Sequence, residues 1–123
     1  MNAKLKNWFL VVVWVGIIFF LSHQPSLQSG FPHYYDFVLR KLAHITEYFI
    51  LTFLLIRALA EYNLSKKKIL IIALVLAFLY ATSDEYHQTF IVGRQGAIMD
   101  VMIDSIGILL STWLGKIKMI KLK

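Results

Sequence analysis

The sequence contains no cysteine, which excludes disulfides and thiolate metal centres and leaves the redox compartment unreadable. It has only two prolines, Pro25 and Pro32, and both fall between the first and second apolar runs, so no proline interrupts a hydrophobic segment. Charge is scarce as well: 16% of residues are Asp, Glu, Lys or Arg, against about 25% in ordinary soluble domains. No nucleophile elbow, P-loop or dinucleotide fingerprint occurs. No H-x-x-x-H or similar ligand pair occurs either, so no metal and no cofactor is expected.

What is present is oil. Of the 123 residues 59% are hydrophobic, and the mean hydropathy is +0.66. A water-soluble domain of this size could not cover so much apolar surface. A bilayer removes the difficulty, because lipid faces apolar side chains directly. Four apolar runs, at about 5–22, 37–59, 69–86 and 97–115, approach the ~17–25 residues that a membrane core requires. The first follows Lys4 and Lys6 as a signal peptide would. No A-x-A-like site follows it, so it reads as a retained helix. The expected fold is all-α, a polytopic membrane protein of four transmembrane helices forming one domain over 1–123.

The net charge of +6 suggests an anionic partner only until the basic residues are located. Lys4 and Lys6 precede the first run. Arg57, Lys66, Lys67 and Lys68 lie between the second and third, and Lys116, Lys118, Lys121 and Lys123 end the chain. With four spans these three groups share one side of the membrane, and the positive-inside rule makes that side cytoplasmic, both termini included. No nucleic-acid partner is expected. The acids sort oppositely. Asp36, Glu47, Asp84, Glu85, Asp100 and Asp104 fall toward the outer ends, with His23, His33, His44 and His87. Insertion does not require this segregation, since acids contribute little to orientation. It points to a site.

Helical spacing says which groups converge. Asp100, Asp104, Gly107, Ser111 and Gly115 share one arc of the fourth run. Ala73, Ala77 and Ala81 form a stripe on the third, which Asp84, His87 and Gln88 extend if the helix continues. Arg40, His44 and Glu47 align on the second, with Tyr48 at the edge. Asp84 and Glu85 lie at a helix carboxyl end, and Arg40 and Lys41 at an amino end. Each pair opposes its helix dipole, and mutual pairing would relieve both. Arg94, in the turn Gly93-Arg94-Gln95-Gly96, could add a bidentate contact to an anion. The plainer alternatives are a packed, hydrogen-bonded His44, aspartates that only lock helices together, and small-residue stripes that serve packing alone.

The motifs also carry a resemblance. Ser22-x-Gln24-Pro25 follows the first run, and Lys41-x-x-His44-x-x-x-Tyr48 opens the second. Ser83-Asp84-Glu85-x-His87-Gln88-x-Phe90 is followed by Gly93-Arg94-x-Gly96-x-x-x-Asp100-Val101. Together these resemble the VanZ-like family of bacterial membrane proteins over nearly the whole length. The chain departs from the family pattern at Val92, where proline is frequent, at Asp104, where asparagine is, and at Ser111, where glycine is. The resemblance implies a protein of the bacterial envelope, and association with resistance to the glycopeptide teicoplanin. It implies no established biochemical activity.

The leading expectation is an outer-facing pocket for an anionic envelope lipid or precursor, such as a phosphate-bearing carrier, in the bacterial plasma membrane. Arg40, Lys41, Glu47, Tyr48, Gln88 and Arg94 would bind it. His44, Asp84, Glu85, His87 and Asp100 are the candidate catalytic or proton-moving groups. One alternative is a membrane enzyme acting on a lipid head group by His/Asp acid–base chemistry. Another is a non-catalytic factor that stabilises a membrane-protein partner. Four helices offer little room for a large substrate, which leaves room for a homo-oligomer.

Overall fold

The computed structural model describes residues 2–22, 33–88 and 98–122. They form four helices: α1 (Ala3–Ser22), α2 (His33–Leu59), α3 (Lys66–Gln88) and α4 (Ile98–Leu122). All four are long and apolar enough to cross a membrane. The fold is therefore all-α, that of a multi-pass membrane protein. The loops expected around His23, Pro25 and Pro32, and around Gly93 and Gly96, lie outside the described residues.

The helices outrun their apolar segments. Hydropathy reports where lipid begins, whereas the backbone ladder continues into polar flanks at no cost. α3 starts at Lys66 because the Ser65 hydroxyl accepts the Lys68 N–H at 3.2 Å, a side-chain cap. Asn2 caps α1 likewise, accepting the Leu5 N–H at 2.8 Å. α4 extends past 115 through a lysine-bearing last segment, where the helix dipole favours positive charge.

Cross-helix contacts fix an up-down-up-down bundle. The start of α1 meets the end of α2, where Asn7 Nδ2 donates to the Arg57 carbonyl at 3.3 Å and Trp8 Nε1 to the Tyr62 hydroxyl at 2.9 Å. Farther along α1, Trp14 Nε1 donates to the Glu47 carbonyl at 2.9 Å. The Tyr80 hydroxyl donates to the Val15 carbonyl at 3.0 Å, so α1 and α3 run parallel. α2 and α4 are also parallel: Ile45 and Phe49 abut Gly107, and Ile56 abuts Gly115. Both ends of the described chain and the α2–α3 turn thus share one end of the bundle.

α2 lies against all three other helices, and its closest partner is α4. Among the described residues α1 and α4 make no contact, so they occupy opposite corners. Lipid-like packing supplies no hydrophobic drive between helices, so close backbone approach carries the association. Asp104, Gly107, Ile108 and Ser111 are buried on one arc of α4. Ala73, Ala77 and Ala81 are fully buried on α3. Both arcs are the expected small-residue faces. The outer faces are apolar, with Phe9, Val12 and Phe20 of α1 and Met102, Leu109 and Trp113 of α4 exposed. Two hydroxyls satisfy themselves locally, Thr52 on the Tyr48 carbonyl at 2.8 Å and Thr112 on the Ile108 carbonyl at 2.8 Å, whereas the buried Ser111 hydroxyl has no partner among the described residues.

Candidate functional site

Three packing faces meet at the end of the bundle remote from the α2–α3 turn. α2 brings Lys41, His44 and Tyr48, at helical spacings of three and four. α3 brings Asp84 and Glu85 from its last turns. α4 brings Asp100 and Asp104 from its first two. Four acids are thereby buried in one region, each no more than 9% exposed.

The contacts sort by depth. At the rim, the Lys41 ammonium pairs with Asp100, their side chains being 25% and 12% exposed. Asp100 stands in the first turn of α4, where negative charge also suits the dipole. One turn deeper, His44 Nδ1 lies 2.8 Å from Asp104 Oδ1 and 3.6 Å from Glu85 Oε1. Asp104 is fully buried and six residues beyond Ile98, roughly 9 Å along the axis at about 1.5 Å per residue. Beside this set the buried Tyr48 hydroxyl donates to Asp84 Oδ2 at 2.9 Å. The Tyr48 ring lies 6.3 Å from that of Tyr80, which continues the polar line toward α1.

These pairings relieve the dipole conflict, but not between the partners the sequence suggested. Lys41 sits on Asp100 of α4 rather than on the acids of α3. Asp84 takes its donor from Tyr48, and Glu85 faces His44. The cause is the phase of α2. Adjacent residues point about 100° apart on a helix of 3.6 residues per turn. The face turned to α4 carries Lys41, His44 and Tyr48. Glu47 is half-buried one position before Tyr48, its backbone carbonyl receiving Trp14 of α1, and Arg40 lies seven residues earlier on the same stripe of the helix.

The expected site residues therefore divide. The structure brings together Lys41, His44, Tyr48, Asp84, Glu85 and Asp100. Arg40 and Glu47 are half-buried beside them. His87 is directed elsewhere, its ring 5.2 Å from that of Phe19 on α1. Gln88 is the last residue of α3, and its side chain lies outside the described residues, as does Arg94 altogether. Asp104 is the residue that sequence reasoning set aside. Its depth was the usable signal, because an ionised group near mid-membrane costs on the order of 2.5–3.5 kcal/mol without a partner.

Chemically, the arrangement is a histidine between two carboxylates, with an ammonium–carboxylate pair above and a phenol–carboxylate pair beside it. A hydrogen-bonded His–Asp pair can orient an imidazole for proton transfer. Three carboxylate oxygens remain buried without a hydrogen-bond partner: both of Glu85 and Oδ2 of Asp104. Polar atoms left so in a low-dielectric interior are costly, and natural structures contain few of them.

No curated protein and no solved structure matches the chain. The VanZ/LLP1 family matches it over residues 7–119, from the start of α1 to the last turns of α4 and across every group of the cluster. The chain belongs to the VanZ/LLP1 family.

Proposed function

We propose that this VanZ protein lies in the bacterial plasma membrane with both termini and Lys66–Lys68 inside, and binds the phosphate-bearing head group of an envelope lipid or lipid-linked precursor at its outer end. Through that lipid it would alter susceptibility to glycopeptides such as teicoplanin, the phenotype tied to the family. One observation carries the reading: the polar cluster is graded and unfinished. Exposure falls from 25% at the Lys41 side chain to none at Asp104, so a polar path leads inward from the bundle end. The acids lie below and the ammonium lies at the rim, so the rim is the part that an anionic head group would meet. At the rim the Lys41 ammonium, paired with Asp100 and 25% exposed, is the positive charge that an arriving phosphate would meet first. In sequence, Arg40 directly precedes Lys41, and Arg94 lies before the start of α4.

The reading is tested on the full chain in detergent with a polyprenyl phosphate as the probe. Binding should appear as a thermal shift, and Lys41→Gln should weaken it by roughly tenfold, the loss of one charge-assisted contact worth about 1.4 kcal/mol. No binding and an unchanged melting temperature would refute it. The His44–Asp104 pair favours a second reading, a membrane enzyme acting on the same head group. Recovery of a chemically altered lipid from that incubation, abolished in His44→Gln, separates turnover from binding.

Orientation is checked in intact cells with single cysteines at Ser29 and at the exposed Lys67. An impermeant thiol reagent should label position 29 and spare position 67. Labelling of position 67 from outside would reverse the arrangement.

A further inference from the structure

We propose that His44 Nδ1, a carboxylate oxygen of Glu85 and one of Asp104 form a three-ligand site for a divalent transition-metal ion. Each residue comes from a different helix, and the three offered atoms lie within 4.8 Å of one another. The set is sealed from water on its acidic side, where Glu85 is 3% exposed and Asp104 fully buried. Both oxygens of Glu85 and Oδ2 of Asp104 have no hydrogen-bond partner.

The bookkeeping of charge favours a cation of two units. Glu85 and Asp104 as carboxylates neutralise it, and a neutral imidazole completes the set, so the ion would enter the bundle as a neutral complex. Lys41 and Asp100 already cancel each other at the rim. A proton shared between the two carboxylates would join one oxygen of each, but it would leave the imidazole outside the bond. One metal ion engages both carboxylates at once.

Geometry and donor type narrow the ion. Ligand atoms around a tetrahedral ion with bonds of about 2.0–2.1 Å are roughly 3.3 Å apart. The His44–Glu85 separation of 3.6 Å is near that value. The 2.8 Å His44–Asp104 contact would open by about half an ångström as the ion replaces a direct hydrogen bond. One imidazole and two carboxylates suit Zn²⁺, Mn²⁺ or Fe²⁺ rather than Ca²⁺ or Mg²⁺, which take oxygen ligands. Three protein ligands leave a coordination position open, the arrangement of catalytic rather than structural sites. The site stands apart from the lipid reading, because metal uptake is measured in detergent with no lipid added.

The test uses the full chain in detergent, stripped with a chelator and dialysed. It is then titrated separately with Zn²⁺, Mn²⁺ and Mg²⁺. A single equivalent of Zn²⁺ or Mn²⁺ should bind in preference to Mg²⁺. Glu85→Gln and Asp104→Asn, both nearly isosteric, should weaken uptake by roughly 100-fold or more, since even outer partners of a metal ligand contribute about 10–100-fold. Mn²⁺ bound to the unmodified protein should show nitrogen coupling in its paramagnetic resonance spectrum, from His44. That readout decides the matter even where a variant fails to accumulate. Absence of uptake, uptake without nitrogen coupling, or uptake equal in both folded variants and the parent overturns the site.

Discussion

Gly107→Ala is expected to destabilise the bundle by about 3 kcal/mol or more, at or above the top of the roughly 1–3 kcal/mol range for overpacking a core. A Cβ at this position would collide with the Ile45 carbonyl oxygen and lie 3.0 Å from both the Ile45 carbonyl carbon and the Phe49 nitrogen. All three obstacles are α2 backbone, which cannot rotate away. Relief requires α4 to separate from α2, and the pairs Lys41–Asp100 and His44–Asp104 span that same seam. Two other glycines provide controls within the protein. At Gly115 a Cβ would meet the flexible ends of Ile56 and Leu70 at 2.9 and 3.3 Å, so alanine there should cost about 1 kcal/mol or less. At Gly16 nothing lies within 4 Å, and alanine should gain up to about 1 kcal/mol from helix propensity. Thermal unfolding of the three variants in one detergent checks the order. Equal melting temperatures for Gly107→Ala and Gly115→Ala would show that α2 and α4 do not meet as described.

The second large effect is an asymmetry within the buried set. In chelator-treated protein, His44→Leu should cost about 3–5 kcal/mol, the penalty for removing one partner of a buried charged pair. It strips both Asp104 and Glu85 of their shared basic neighbour. Asp104→Leu should cost about half as much, because Glu85, already 3.6 Å from the imidazole, takes over the contact. Unfolding measurements on both variants decide this. An Asp104→Leu protein as unstable as His44→Leu would mean that Glu85 does not share the histidine.

Part of this arrangement is legible in the sequence alone. The arc of Asp100, Asp104, Gly107 and Ser111 was legible because one helix with a 3.6-residue period fixes its own faces. The alanine stripe of α3 was legible for the same reason. The rotation of α2 was not. Arg40 and Lys41 are neighbours in sequence, and only the position of α4 determines that Lys41 turns inward. His87 shows the same limit. It follows Asp84 by three residues, yet α3 is flanked by α1 on one side and by α2 and α4 on the other, so Asp84 reaches Tyr48 while His87 meets Phe19. The grouping of His44, Glu85 and Asp104 has no sequence spacing at all, since each helix gives one member. A search for paired ligands within a segment passes over such a set.

The separation of those members along the chain has a consequence for synthesis. His44 and Asp104 are 60 residues apart, and Lys41 and Asp100 are 59. At about 5–20 residues per second, α2 waits roughly 3–12 s for the acids that will receive it. Until α4 arrives, His44 has only Glu85 of α3 to turn to, and Lys41 waits for Asp100. A chain that stops before α4 leaves α2 without Asp100 and Asp104, so closure of the α2–α4 seam reports that α4 has been made.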